Sequence, residues 1–118
     1  MRAAALVVLA ALALPEPAGA HALLVRTSPP RRAVLHDPPK QIQLWFNERL
    51  EPAYSAVTVS TQAGAPVTIG KTLVEGEDAR RLAVELPALA PGRYTVRFRV
   101  LSVDGHLAED SFPFSIGR

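Results

Sequence analysis

The chain has 118 residues, with 13 Lys or Arg against 11 Asp or Glu, a net charge of +2 and no cysteine. One domain fills that length, and so slight a positive balance without a basic block gives no nucleic-acid footprint. The lack of thiolates excludes disulfides, cysteine nucleophiles, iron–sulfur clusters, thiolate zinc sites and blue-copper electron-transfer centres.

In chain order, Met1-Arg2 gives a positive start, Ala3 to Leu14 an unbroken apolar run, and Pro15-Glu16-Pro17 its end. Ala18-Gly19-Ala20 then supplies the small-x-small pattern of signal peptidase. The run is shorter than the ~20 residues of a membrane span. Residues 1–20 therefore read as a secretory signal peptide cleaved after Ala20, and residues 21–118 as the mature domain beginning at His21.

The mature chain alternates apolar and polar residues throughout, amid many prolines and glycines. Ala22 to Thr27 reads as a first strand, and Ser28 to Pro39 as loop. Gln41 to Phe46 is a second strand with Ile42, Leu44 and Phe46 on one face. A helical turn fits Glu51 to Ser55. Ala56 to Thr61 is a third strand, Ala63-Gly64 a turn, and Val67 with Ile69 a short fourth strand. Arg81 to Leu86 is a fifth. Arg93 to Val100 is the clearest, with Tyr94, Val96, Phe98 and Val100 opposite Arg93, Thr95, Arg97 and Arg99. Phe112, Phe114 and Ile116 mark the seventh, where Pro113 favours an edge or a bulge. Seven short strands without a long helix predict an all-β fold, an immunoglobulin-like or Greek-key β-sandwich.

The chemistry concentrates at two places far apart in the chain. Cleavage after Ala20 would free the α-amine of His21. That amine and the imidazole Nδ1 can chelate one metal ion, and both lose their protons at modest cost near neutral pH. In Ser102-Val103-Asp104-Gly105-His106, Asp104 and His106 stand two apart, so an extended segment would send both side chains to one side. Gly105 between them permits a turn. Together the groups make a set of three nitrogens and one oxygen, which suits tetragonal Cu(II), with Zn(II) the alternative metal. The site requires the start of the first strand to lie beside the loop joining the last two strands, which a sandwich allows because it gathers loops at its ends. Elsewhere, His36 reads as an exposed loop residue, Trp45 as a packing residue or a cover for the metal, and the Arg93, Arg97 and Arg99 stripe as a solvated face.

These pieces, in this order, resemble the CopC family of periplasmic copper-resistance proteins. The likeness runs from His21 through Thr27-Ser28-Pro29 to Ile42-Gln43-Leu44-Trp45-Phe46-Asn47-Glu48. It continues with Leu89-Ala90-Pro91-Gly92-Arg93-Tyr94-Thr95-Val96, Ser102 to His106, and Phe112 to Ile116. The resemblance implies a periplasmic Cu(II)-binding protein, with ligands at His21, Asp104 and His106. It also puts Glu48 at the place of a glutamate near the metal in some members. Glu48 is either an axial or outer-shell group or a solvated carboxylate just past a strand end. Some members carry a Met-rich Cu(I) segment; here the only methionine is Met1, so a Cu(II)-only protein is expected.

The expected function is copper carriage or sequestration in homeostasis or resistance, without catalysis, by a protein read as a monomer. An inner-membrane copper transporter of the CopD type is the partner implied by the resemblance. Two alternatives compete. A copper oxygenase of the histidine-brace type also begins with a chelating histidine, but Asp104 would fill a position such an enzyme keeps open. An adhesion-type sandwich would leave both clusters without a role.

Overall fold

The computed structural model describes residues 24–76 and 79–117. They form β1 (Leu24–Ser28), β2 (Val34–Leu35), β3 (Gln41–Phe46), a 3₁₀ turn (Pro52–Tyr54), β4 (Ala56–Thr61), β5 (Ile69–Glu75), β6 (Arg81–Glu85), β7 (Gly92–Leu101) and β8 (Leu107–Ile116). Two four-stranded sheets, ordered β1-β3-β6-β5 and β2-β8-β7-β4, make the expected sandwich. No helix among the described residues is long and apolar enough to cross a membrane. The segment assigned to a signal peptide lies outside the described residues.

Alternation puts the apolar positions of each strand on one face. Ile42 and Leu44 of β3 and Leu82 of β6 meet Val59, Val96, Val100 and Phe114 of the other sheet in the core, all fully buried. Phe46 and Phe98 join the sheets edge to face, their ring centroids 5.4 Å apart. On the same side as the β4 edge, the Val57 N–H donates to Thr72 Oγ1, which returns a bond to the Val57 carbonyl. That pair ties β4 to β5 where the two sheets meet.

Three elements differ from expectation, each for a visible reason. The eighth strand, β2, is two residues long and runs parallel to the end of β8, within a stretch read as loop. Two residues carry no periodicity, and Val34 is largely exposed. The short fourth strand is instead β5, reaching Glu75; a register shift between Ile69 and Leu73 and a positive φ at Gly70 break its alternation. The last strand begins at Leu107 rather than Phe112. Its first half, with Glu109, Asp110 and Ser111, lacks the apolar pattern and is held by the unbroken β7 ladder from Leu101↔Leu107 to Gly92↔Ile116.

Pro113 behaves as an edge residue although β8 has neighbours on both sides. Its carbonyl points away from β7 and accepts the Arg32 N–H at 2.7 Å. Its nitrogen, which has no hydrogen, lies on that same side, beyond the reach of the two-residue β2.

Candidate metal centre

The β7–β8 turn is built around Ser102, which is buried to 1 % exposure. Its N–H donates to the His106 carbonyl (2.9 Å), and its own carbonyl accepts the Gly105 N–H (2.9 Å). Its hydroxyl accepts the His106 N–H (3.1 Å) and donates to Asp104 Oδ1. Gly105 closes the turn at φ 91°, a conformation that L side chains rarely adopt.

Asp104 and His106 are brought together as expected, but by a different route. The segment is a turn rather than an extended stretch, so strand alternation plays no part. The turn places Asp104 Oδ1 3.1 Å from His106 Nδ1. The side chains are 41 % and 36 % exposed, while the Nδ1 atom of His106 is itself buried against the carboxylate. The Ser102 hydroxyl, and after it the neighbouring imidazole, hold the Asp104 carboxyl below its ordinary 3.8. A carboxylate that stays ionised is a ready cation ligand.

Three chain segments converge on this end of the sandwich. Leu24, where the described chain begins, is opposite Phe46 at the end of β3. The link from β3 to β4 then runs alongside the start of the turn. Leu50 bridges Ser102, the Glu51 N–H donates to the Leu101 carbonyl (2.8 Å), and the Val103 N–H donates to the Arg49 carbonyl (2.9 Å). Ser55 reinforces the seam by accepting the Leu101 N–H at 3.2 Å. Glu48, half-buried in this link, is therefore beside the turn in the chain path. Among the described residues no three His, Cys, Asp or Glu gather as a metal-binding group, so Glu48 is not clustered with Asp104 and His106 in this structure. His21 lies outside the described residues.

The remaining candidates separate cleanly. His36 is exposed beyond β2. Trp45 packs on the outer face of the first sheet beneath Arg26, whose guanidinium carbon lies 4.4 Å from the ring centroid. Arg93, Arg97 and Arg99 are exposed on the outer face of the second sheet, with Arg99 paired to Glu109 at 3.1 Å. Ser102 is the residue that sequence reasoning gave no role. Its signal was present as a lone hydroxyl continuing the inward-facing series Tyr94, Val96, Phe98, Val100.

A near-copy of the turn's backbone closes the opposite end of the same sheet, after β4. The Thr61 N–H donates to the Ala65 carbonyl (2.8 Å), and the Gly64 N–H to the Thr61 carbonyl (2.9 Å). The Ala65 N–H donates to Thr61 Oγ1 (3.2 Å), and Gly64 has φ 92°. Ala63 and Ala65 stand where Asp104 and His106 stand in the first turn.

Comparison with known proteins gives a consistent picture. The CopC domain family matches residues 24–117. The copper transport protein CutJ of Bacillus subtilis is 31 % identical over 106 residues, 89 % of this chain; the chain spans only 20 % of CutJ. Protein YobA of Escherichia coli is 32 % identical over 98 residues, 82 % of this chain and 79 % of YobA. The crystal structure of CopC from Methylosinus trichosporium OB3b has a TM-score of 0.76 and 35 % identity, covering 82 % of this chain and 94 % of that one.

Proposed function

The chain belongs to the CopC family, and from that premise we propose that it carries one Cu(II) ion in the periplasm, bound by His21, Asp104 and His106. The observation that carries this reading is the Asp104–His106 pair in an accessible turn at the end where β1 begins. Asp104 would supply a carboxylate oxygen and His106 an imidazole nitrogen to the ion, from neighbouring side chains whose Oδ1 and Nδ1 stand 3.1 Å apart. His21 is three residues before Leu24, a span of at most about 10 Å of extended chain. Its amine and imidazole would complete a set of three nitrogens and one oxygen. Glu48 belongs to the surroundings rather than to that set.

Holding and releasing the ion is the whole task; no bond of a substrate is made or broken. An anionic ligand at Asp104 favours Cu(II), and the chain has neither thiolate nor, after cleavage, thioether to favour Cu(I). Reduction therefore weakens binding and provides a means of release. The exchange partner proposed is an inner-membrane copper transporter of the CopD type. The similarity to one part of a much longer relative named for copper transport supports that pairing.

The test is a competitive Cu(II) titration of the exported protein, with mass spectrometry of its N-terminus. A chain beginning at His21 and binding one Cu(II) is expected, and one extra residue before His21 should abolish tight binding. Full affinity in the extended protein, or a mature chain starting elsewhere, would overturn the reading.

A further inference from the structure

We propose that Ser102 is a positioning residue that fixes Asp104 as a one-oxygen ligand directed towards the His106 side of the site, an inference that rests on the copper reading above. The backbone of the turn does not require a serine at full burial. The Thr61 turn closes with the same backbone bonds around a hydroxyl that is only half-buried. Ser102 is different because it is buried: water cannot take its proton, so that proton needs an acceptor inside the protein. Two lie within reach, the His106 carbonyl at 3.3 Å and the carboxylate Oδ1 of Asp104. The ionised oxygen is the stronger acceptor.

The consequence is geometric. One hydroxyl is anchored by accepting the His106 N–H and by donating to Asp104, so the backbone of one ligand residue and the side chain of the other are tied to a single atom. Oδ1 is held on the His106 side, 3.1 Å from Nδ1. The carboxylate is thereby prevented from rotating to offer both oxygens to the ion. This favours a compact tetragonal Cu(II) site over the larger oxygen-rich shell of a hard cation.

The test compares Ser102→Ala, Ser102→Thr, Asp104→Ala and the Ser102→Ala/Asp104→Ala double variant, all starting at His21. Competitive Cu(II) titration, the electron spin resonance spectrum of the copper-loaded protein and thermal unfolding are measured for each. Ser102→Ala should bind Cu(II) about tenfold more weakly, the lower range for loss of an outer-shell partner, with an altered spin spectrum. Ser102→Thr, which copies the hydroxyl residue of the Thr61 turn, should recover most of that affinity. In the Asp104→Ala background, removing the hydroxyl should still lower the unfolding temperature but leave Cu(II) affinity unchanged. Equal losses of affinity with and without Asp104 would reduce Ser102 to a structural residue and overturn the proposal, as would unchanged affinity in Ser102→Ala. A copper-free readout separates this from failure of the functional reading. The Asp104 side-chain coupling constants in apo protein should report one rotamer in the parent and averaging in Ser102→Ala. Averaging in the parent protein would overturn the proposal, whereas absence of Cu(II) binding with a fixed rotamer would remove only the functional reading.

Discussion

The two turns at opposite ends of the second sheet share a framework and differ in what they carry. At 61–65 and at 102–106 a hydroxyl residue opens the turn and a glycine at φ near 90° closes it; three hydrogen bonds of the same pattern hold each in place. One displays Ala63 and Ala65, the other Asp104 and His106. A tight five-residue turn is thus a generic device for reversing a strand. What sets the 102–106 turn apart is two side chains with ligand atoms, together with a buried rather than half-buried hydroxyl residue. Their surroundings differ as well. The 102–106 turn lies beside the β3–β4 link and at the end where β1 begins, so further ligands can reach it.

The largest expected effect removes that difference at its source. His106→Ala deletes the imidazole and its contact with Asp104 Oδ1 but none of the bonds that close the turn's backbone, which use the His106 main chain. Cu(II) affinity by competitive titration should fall more than about 100-fold, beyond the range for outer-shell partners. Unfolding free energy in urea should change by no more than about 0.5 kcal/mol, as for other accessible positions.

A second experiment tests the likeness of the frameworks. An added Cβ at Gly64 or Gly105 meets nothing within 4 Å, so Gly64→Ala and Gly105→Ala cost only backbone strain. Each should lose about 1–2 kcal/mol in chemical denaturation. Only Gly105→Ala should also weaken Cu(II). Clearly unequal stability losses would show that the two turns are not equivalent supports.

Transplanting the side chains sharpens the point further. Ala63→Asp combined with Ala65→His should let Cu(II) broaden NMR signals around residues 61–65, at concentrations far above those that fill the natural site, because two side chains alone make half a ligand set. Absence of any local broadening would mean that the shared backbone does not suffice to bring such a pair together.

The smallest effect is in acid. The Asp104 carboxyl titrates below its ordinary 3.8 because the Ser102 hydroxyl, and then His106, favour its ionised form. Its contribution to stability is therefore fully present above that value and is lost as pH falls through the lower folded value. The stability gap between the parent protein and Asp104→Asn, measured by urea unfolding, should shrink over that acid window. The 61–65 turn holds no acid, so Ala63→Asn should show no corresponding pH dependence. A gap that widened in acid would contradict the assigned direction.

The legible parts of this protein are those with a period or a chemical signature. Gln41–Phe46 and Ala56–Thr61 have the same bounds in sequence and structure, because their alternation starts and stops sharply. β2 and the first half of β8 escape such reading, because their place comes from pairing with a partner strand rather than from their own residues. Asp104 and His106 are legible as candidate ligands by type and spacing, but they meet in a turn and not in the extended geometry expected of them. The turn depends on backbone bonds that a side-chain pattern does not encode.

By itself, then, the amino-acid order determined an all-β sandwich, the strand faces that form its core and the residue types suited to Cu(II). These follow from alternation and from the donor atoms each residue carries, both local properties. Only the tertiary structure decided that the Ser102 proton is directed to Asp104, that the β3–β4 link flanks the turn, and that β1 begins at the same end. Those depend on long-range strand pairing, which joins residues some twenty to fifty positions apart and leaves no trace in the spacing of neighbours.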